Sequence, residues 1–160
     1  MLQKKVKIID ELKIIIRDLH QQKKKVVLAN GVFDLLHVGH IRYLQSAKTY
    51  GDILIVALNS DSSTKLNKGN NRPITPELER AELLSAISVI DFIVIFSEKD
   101  VKKILLELKP DYQAKGKDYT VDSVPEKEIV ESYGGKVIIT GDEKNHSSSE
   151  IIKKLHNGCI

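Results

Sequence analysis

Residues 53–58, Ile-Leu-Ile-Val-Ala-Leu, form an unbroken apolar run with no polar face to offer water. A strand of this kind belongs inside a parallel sheet covered by helices on both sides. Runs at 26–29, 92–96 and 136–140 repeat the signal, and 112–115 reads as a further short strand. Between them lie helical patterns. Ile8, Ile9, Leu12, Ile15, Ile16 and Leu19 recur at helical spacing over 7–21. A helix is expected from about Gly39 to Tyr50, with Gly51 as its C-cap. Thr75 is expected to cap another, with Pro76 at its first position. Further helices are read over 100–108, from Pro125 to Gly134-Gly135, and over 147–155. Alternating strands and helices give an α/β fold, a Rossmann-like doubly wound parallel sheet in a single domain. Residues 1–24 form a helix and lead-in, 25–156 the domain, and 157–160 a tail.

The stretch 59–73 has no periodic pattern and reads as the longest loop. It holds Lys65, Lys68 and Arg72, with Arg80 just beyond. Loops this long in a compact domain are usually functional.

Composition removes several classes. The formal charge of +3 over 160 residues is too mild for nucleic-acid binding. No apolar stretch is long enough to cross a bilayer, and the lysine-rich start has no signal-peptide core. The lone Cys159 allows no disulfide framework. A cytoplasmic protein without a membrane partner is the expectation.

The chemistry-bearing segment follows the first strand: Asn30-Gly31-Val32-Phe33-Asp34, then His37-Val38-Gly39-His40. It contains neither a GxGxxG nor a P-loop signature. Two histidines three apart at a helix entrance can face the same way. The helix-terminal amides there already favour anions, and imidazoles add directional donors for phosphate oxygens. Asp34 can either hold substrate hydroxyls or brace its loop through backbone amides.

Asn-Gly-Val-Phe-Asp followed by His-Val-Gly-His resembles the HxGH nucleotidyltransferases, in their cytidylyltransferase-like branch. Within that branch the chain is most similar to the heptose 1-phosphate adenylyltransferases. Four more stretches carry the likeness: Asn59-Ser60-Asp61 with Lys65; Lys68-Gly69 leading to Arg72-Pro73; Glu79-Arg80 with Leu83-Leu84; and Lys115-Gly116-Lys117-Asp118-Tyr119. A second glycine usual in the last stretch is replaced by Lys117.

The resemblance implies adenylyl transfer from ATP to a sugar 1-phosphate, with His37, His40 and Lys65 as catalytic residues. It implies nucleotide contacts from Asn30, Gly31, Phe33, Gly39, His40, Lys115, Gly116, Asp118, Ser147, Ser148 and Ser149. Acceptor contacts would come from Asp34, Asn59, Asp61, Lys65, Arg72 and Arg80. Arg80 could equally be a surface arginine of its helix, and one of Ser147 to Ser149 a simple helix cap. Mg²⁺ would bridge the ATP phosphates without a dedicated carboxylate cluster, so no protein metal ligand is assigned. A homodimer and a separate heptose kinase are implied partners. A cytidylyltransferase acting on glycerol 3-phosphate, and a non-catalytic nucleotide-binding module, are the alternatives.

Overall fold

The computed structural model describes residues 2–142 and 148–156. A short helix α1 (Leu2–Lys5) precedes α2 (Ile9–Gln21), β1 (Val26–Gly31), α3 (Val38–Lys48) and β2 (Ile53–Asn59). Then come α4 (Asp61–Lys68), α5 (Glu77–Ser85), β3 (Phe92–Phe96), α6 (Lys102–Leu108) and β4 (Tyr112–Gly116). A 3₁₀ turn (Val121–Ser123), α7 (Lys127–Ser132), β5 (Lys136–Thr140) and α8 (Ser148–His156) complete the order.

All four strand pairings are parallel, in the order β3-β2-β1-β4-β5. The expected Rossmann-like sheet is therefore what the chain forms. The run at 53–58 sits inside it, with Leu54 through Leu58 fully buried. One face of the sheet packs Leu12 and Ile16 of α2, Ile104 and Leu105 of α6 and Val130 of α7. The other packs Leu44 and Ala47 of α3 with Ala81 and Leu84 of α5. Side chains alternate between these faces along each strand. The chain runs out from β1 in one direction to β2 and β3 and in the other to β4 and β5. The carboxyl ends of β1 and β4 thus flank the point where the order reverses, the usual place for a ligand crevice.

Three local expectations change, the first being that α3 ends at Lys48 with Thr49, not Gly51, as its C-cap. The stretch 59–73 is not all loop, because residues 61–68 are helical. Its residues are poor helix formers in isolation, but the Ser60 hydroxyl accepts from the Ser63 amide at 3.1 Å and caps the first turn. Asn59 Nδ2 donates to Ser63 Oγ at 2.9 Å, tying that turn to the end of β2. Helix α5 begins one residue later than expected, with Pro76 rather than Thr75 at the N-cap. The Thr75 amide points instead at Asp34 Oδ1, 2.9 Å away.

Candidate active site

A cleft of about 580 Å³ opens over the carboxyl ends of the strands. Asn30 and Gly31 from β1, Lys115 and Gly116 from β4, and Thr140 from β5 form its floor. Phe33 has a left-handed backbone, φ 48°, a conformation costly for an aromatic residue. That turn buries the Phe33 ring, which leans on the His40 ring at 5.1 Å.

His37 is the N-cap residue of α3 and His40 lies in its first turn, so both stand at the positive end of the helix. Their rings stack, centroids 3.9 Å apart and planes 25° from parallel. Both line the cleft together with Gly39. Burial, with added repulsion from His37 and Lys68, lowers the His40 pKa to about 4. His40 Nδ1 is buried and has no hydrogen-bond partner among the described residues. At neutral pH it is a neutral imidazole placed where an arriving anion would favour its protonation.

Asp34, 2% exposed, is among the residues that line the cleft. It braces the loop, accepting from the amides of Ile74 and Thr75 at 2.9 Å each and from Arg72 Nε at 2.5 Å. Burial works against its charge, but these donors outweigh burial and hold its pKa below the usual carboxylate value. Arg72 lines the cleft from the other end of this pair.

Arg80 is no surface arginine. It is completely buried. Its Nε donates to Thr75 O at 2.8 Å, Nη1 to Val32 O at 2.6 Å and Asn59 O at 2.8 Å, and Nη2 to Asp61 Oδ1 at 2.7 Å. The guanidinium joins the segments beneath the cleft and is not among the residues lining it. Asn59 lines the cleft, whereas Asp61 does not and is occupied by Arg80. Lys65 is exposed on α4 and outside the lining; nearly one turn later, Asn67 and Lys68 reach it.

Lys115, 8% exposed, lines the cleft with Nζ 3.1 Å from Glu126 Oε2 and 5.5 Å from the centre of the Tyr119 ring. Asp118 reaches the rim close to Gly116, where a Cβ would meet its Oδ1 at 2.7 Å and make the carboxylate shift. Ser149 lines the cleft at the start of α8, Ser148 opens that helix, and Ser147 lies outside the described residues, as do His146 and residues 157–160. Among the described residues, no group of three or more His, Cys, Asp or Glu side chains could hold a metal.

Tyr43, Lys68, Glu126 and Thr140 also line the cleft and were given no role from the sequence. Tyr43 was within reach, being one helical turn beyond His40. Its hydroxyl donates to Ala114 O at 2.8 Å, and burial pushes its pKa upward.

Residues 28–154 match the cytidylyltransferase-like family. The bifunctional protein HldE of Geotalea uraniireducens is 45% identical over 156 residues, 98% of this chain and 32% of that protein. The HldE of Geobacter metallireducens is 46% identical over 151 residues, 94% of this chain and 31% of that one. The chain thus spans about a third of the length of the curated relatives it matches. A solved lipopolysaccharide core biosynthesis protein from Thermoplasma volcanium superposes with TM-score 0.65 at 35% identity, over 76% of this chain and 99% of that one. A pantoate-beta-alanine ligase from Francisella tularensis shares the fold at TM-score 0.64 and 20% identity, over 96% and 78%. With the sheet order, the paired imidazoles and this family match in place, the chain belongs to the cytidylyltransferase-like family and is a nucleotidyltransferase.

Proposed function

We propose that the chain transfers the adenylyl group of ATP to D-glycero-β-D-manno-heptose 1-phosphate, giving ADP-heptose and pyrophosphate. The observation that carries this reading is the stacked His37–His40 pair at the mouth of α3, inside the cleft at the sheet's switch point. The likeness of the four further stretches to the heptose branch, with Lys117 a departure in the last of them, supports the choice of acceptor. So does the high identity to the HldE proteins.

A phosphate oxygen of the sugar 1-phosphate attacks the α-phosphorus of ATP. The new O–P bond forms in line with the bond to the bridging oxygen, which breaks and leaves with pyrophosphate. The attacking oxygen is already an anion, so no general base is needed. What the protein supplies is position and charge neutralisation. His37, His40 and the α3 amides would face the α-phosphoryl oxygens. Lys68 stands across the cleft for the rest of the triphosphate, with Lys65 close behind it on α4. The Ser149 end of α8 offers the terminal phosphates a second helix mouth. Asp118 at the rim is suited to ribose hydroxyls, and Arg72, oriented by Asp34, to the acceptor's phosphate.

Mg²⁺ fits this cleft only as a passenger of the triphosphate, since the described side chains provide no cage of their own; it would neutralise phosphate charge. By resemblance, the reading extends to a cytoplasmic homodimer whose acceptor depends on a heptose kinase activity.

Pyrophosphate release with ATP or CTP, each paired with the heptose 1-phosphate or glycerol 3-phosphate, tests the assignment. ATP with the heptose phosphate is expected to be fastest by at least about tenfold. A lead for CTP with glycerol 3-phosphate would overturn it, and no turnover with any pair would point to a silent nucleotide-binding module.

A further inference from the structure

The sheet edge divides the cleft into two halves. Phe33 and Tyr43 pack with the α3 side of the sheet, as does Ile138, which sets the face of Thr140 two residues on. The imidazole pair stands at the head of α3 and belongs to this half. Lys115 faces the opposite side. Its register partner is Ile139, which packs with the core between the sheet and α2, α6 and α7. Asn30 faces the same way, because its partner Ala57 belongs to that core. Phe96 and Val101 complete this second half.

Lys115 and Glu126 are both more than nine-tenths buried at its edge. Their ion pair is incomplete. Glu126 Oε2 is near enough to Lys115 Nζ for charge pairing, yet no aligned hydrogen bond reaches it from any described residue. The Lys115 ammonium also stands 5.5 Å from the centre of the Tyr119 ring. Two buried charges normally require such remaining hydrogen bonds to offset their desolvation. The pair is neutral as a unit, so it has no net attraction for phosphate. It offers open donors beside an open acceptor, which suits a group that both donates and accepts: a hydroxyl.

We propose that Lys115 and Glu126 read ring hydroxyls of the acceptor sugar, on the face of the sheet opposite the imidazoles. Glu126 is then a specificity-determining residue, and Lys115 serves the acceptor rather than the nucleotide. This inference rests on the reading of the chain as a sugar 1-phosphate adenylyltransferase, in which the nucleotide occupies the α3 half.

The test is calorimetric titration of heptose 1-phosphate, and separately of glycerol 3-phosphate, into protein saturated with α,β-methylene ATP. Glu126→Gln keeps the shape and removes the charge. It is expected to weaken heptose 1-phosphate roughly tenfold to a hundredfold, the range for a lost hydrogen bond to a charged group. Glycerol 3-phosphate, which lacks ring hydroxyls, and α,β-methylene ATP itself should change less than about threefold. Should Glu126→Gln disturb folding, seen as a large drop in melting temperature, the double variant Lys115→Met with Glu126→Leu replaces the pair by apolar groups and should retain the fold. It too must lose heptose 1-phosphate selectively. Equal weakening of both acceptors, or weakening of the ATP analogue, overturns the inference while leaving the enzymatic assignment intact. Wild-type protein that binds the ATP analogue but no sugar phosphate refutes the assignment and the inference together.

Discussion

Arg80 Nη1 donates at once to the carbonyl of Val32, in the segment after β1, and to that of Asn59, at the end of β2. One guanidinium group thereby ties the segment that leaves β1 to the end of β2 beneath the cleft. Arg80→Ala would leave these carbonyls, that of Thr75 and the Asp61 carboxylate without their donor. The expected cost is about 3–5 kcal/mol of stability, as for other broken buried pairs. Arg80→Lys should recover little, because an ammonium cannot reproduce the planar fork. Urea unfolding measures this. An arginine that merely touched substrate phosphate would lower turnover and leave unfolding unchanged.

The imidazole pair makes the opposite prediction. His37→Ala and His40→Ala should each lower kcat by about 10²–10³-fold, as loss of an oxyanion donor does elsewhere. Melting temperature should hold or rise, since removing His40 relieves a buried imidazole that lacks a partner at Nδ1 among the described residues. Pyrophosphate release with a parallel thermal melt decides between catalytic and packing roles.

His40 also sets a pH signature. Its pKa is about 4 in the folded protein against 6.5 as a free side chain. Between those values the unfolded state binds more protons, so stability falls as the pH is lowered from 6.5 towards 4. Asp34, held low by its donors, contributes a loss only further down, as the pH falls through its depressed pKa. Comparing unfolding of wild type and His40→Gln across about pH 4–7 isolates the histidine. The variant should lose less stability over that window, and parallel curves would remove His40 from the account.

Lys65 and Lys68 are separated by less than one turn of α4, and only Lys68 lines the cleft. Lys68→Ala is expected to weaken ATP binding about tenfold, and Lys65→Ala less than about threefold. Direct titration with ATP gives the ranking. A reversed order would mean that α4 rotates or shifts when the triphosphate arrives.

The fold was legible because β1, β2 and β3 read as short apolar runs that alternate with segments of helical spacing. The pairing of His37 and His40 in the cleft was legible for a similar reason: the residues of His37-Val38-Gly39-His40 are contiguous and sit at a strand-to-helix junction. Helix α4 escaped notice because Asp61-Ser62-Ser63-Thr64-Lys65 carries little helical propensity; its stability comes from the Ser60 cap and the Asn59–Ser63 bond. Arg80 escaped because its four acceptors come from Val32, Asn59, Asp61 and Thr75, which only the folded chain assembles. Glu126 escaped for the same reason. Nothing in its neighbourhood along the chain announces Lys115.

The pairing of Ala29 with Ala114 joins the first strand of the sheet to the fourth in chain order. β1, β2 and β3 can zip together from neighbouring stretches of chain, but the seam beside β1 stays open until β4 is complete. His37 and His40 stand on one side of that seam, Lys115 and Gly116 on the other. Ribosomal synthesis therefore delivers half a cleft first, and a growing chain halted before β4 would carry both imidazoles yet no partner wall for a nucleotide. Competence to bind is in this sense a property of the finished sheet, acquired in one step when its two wings meet.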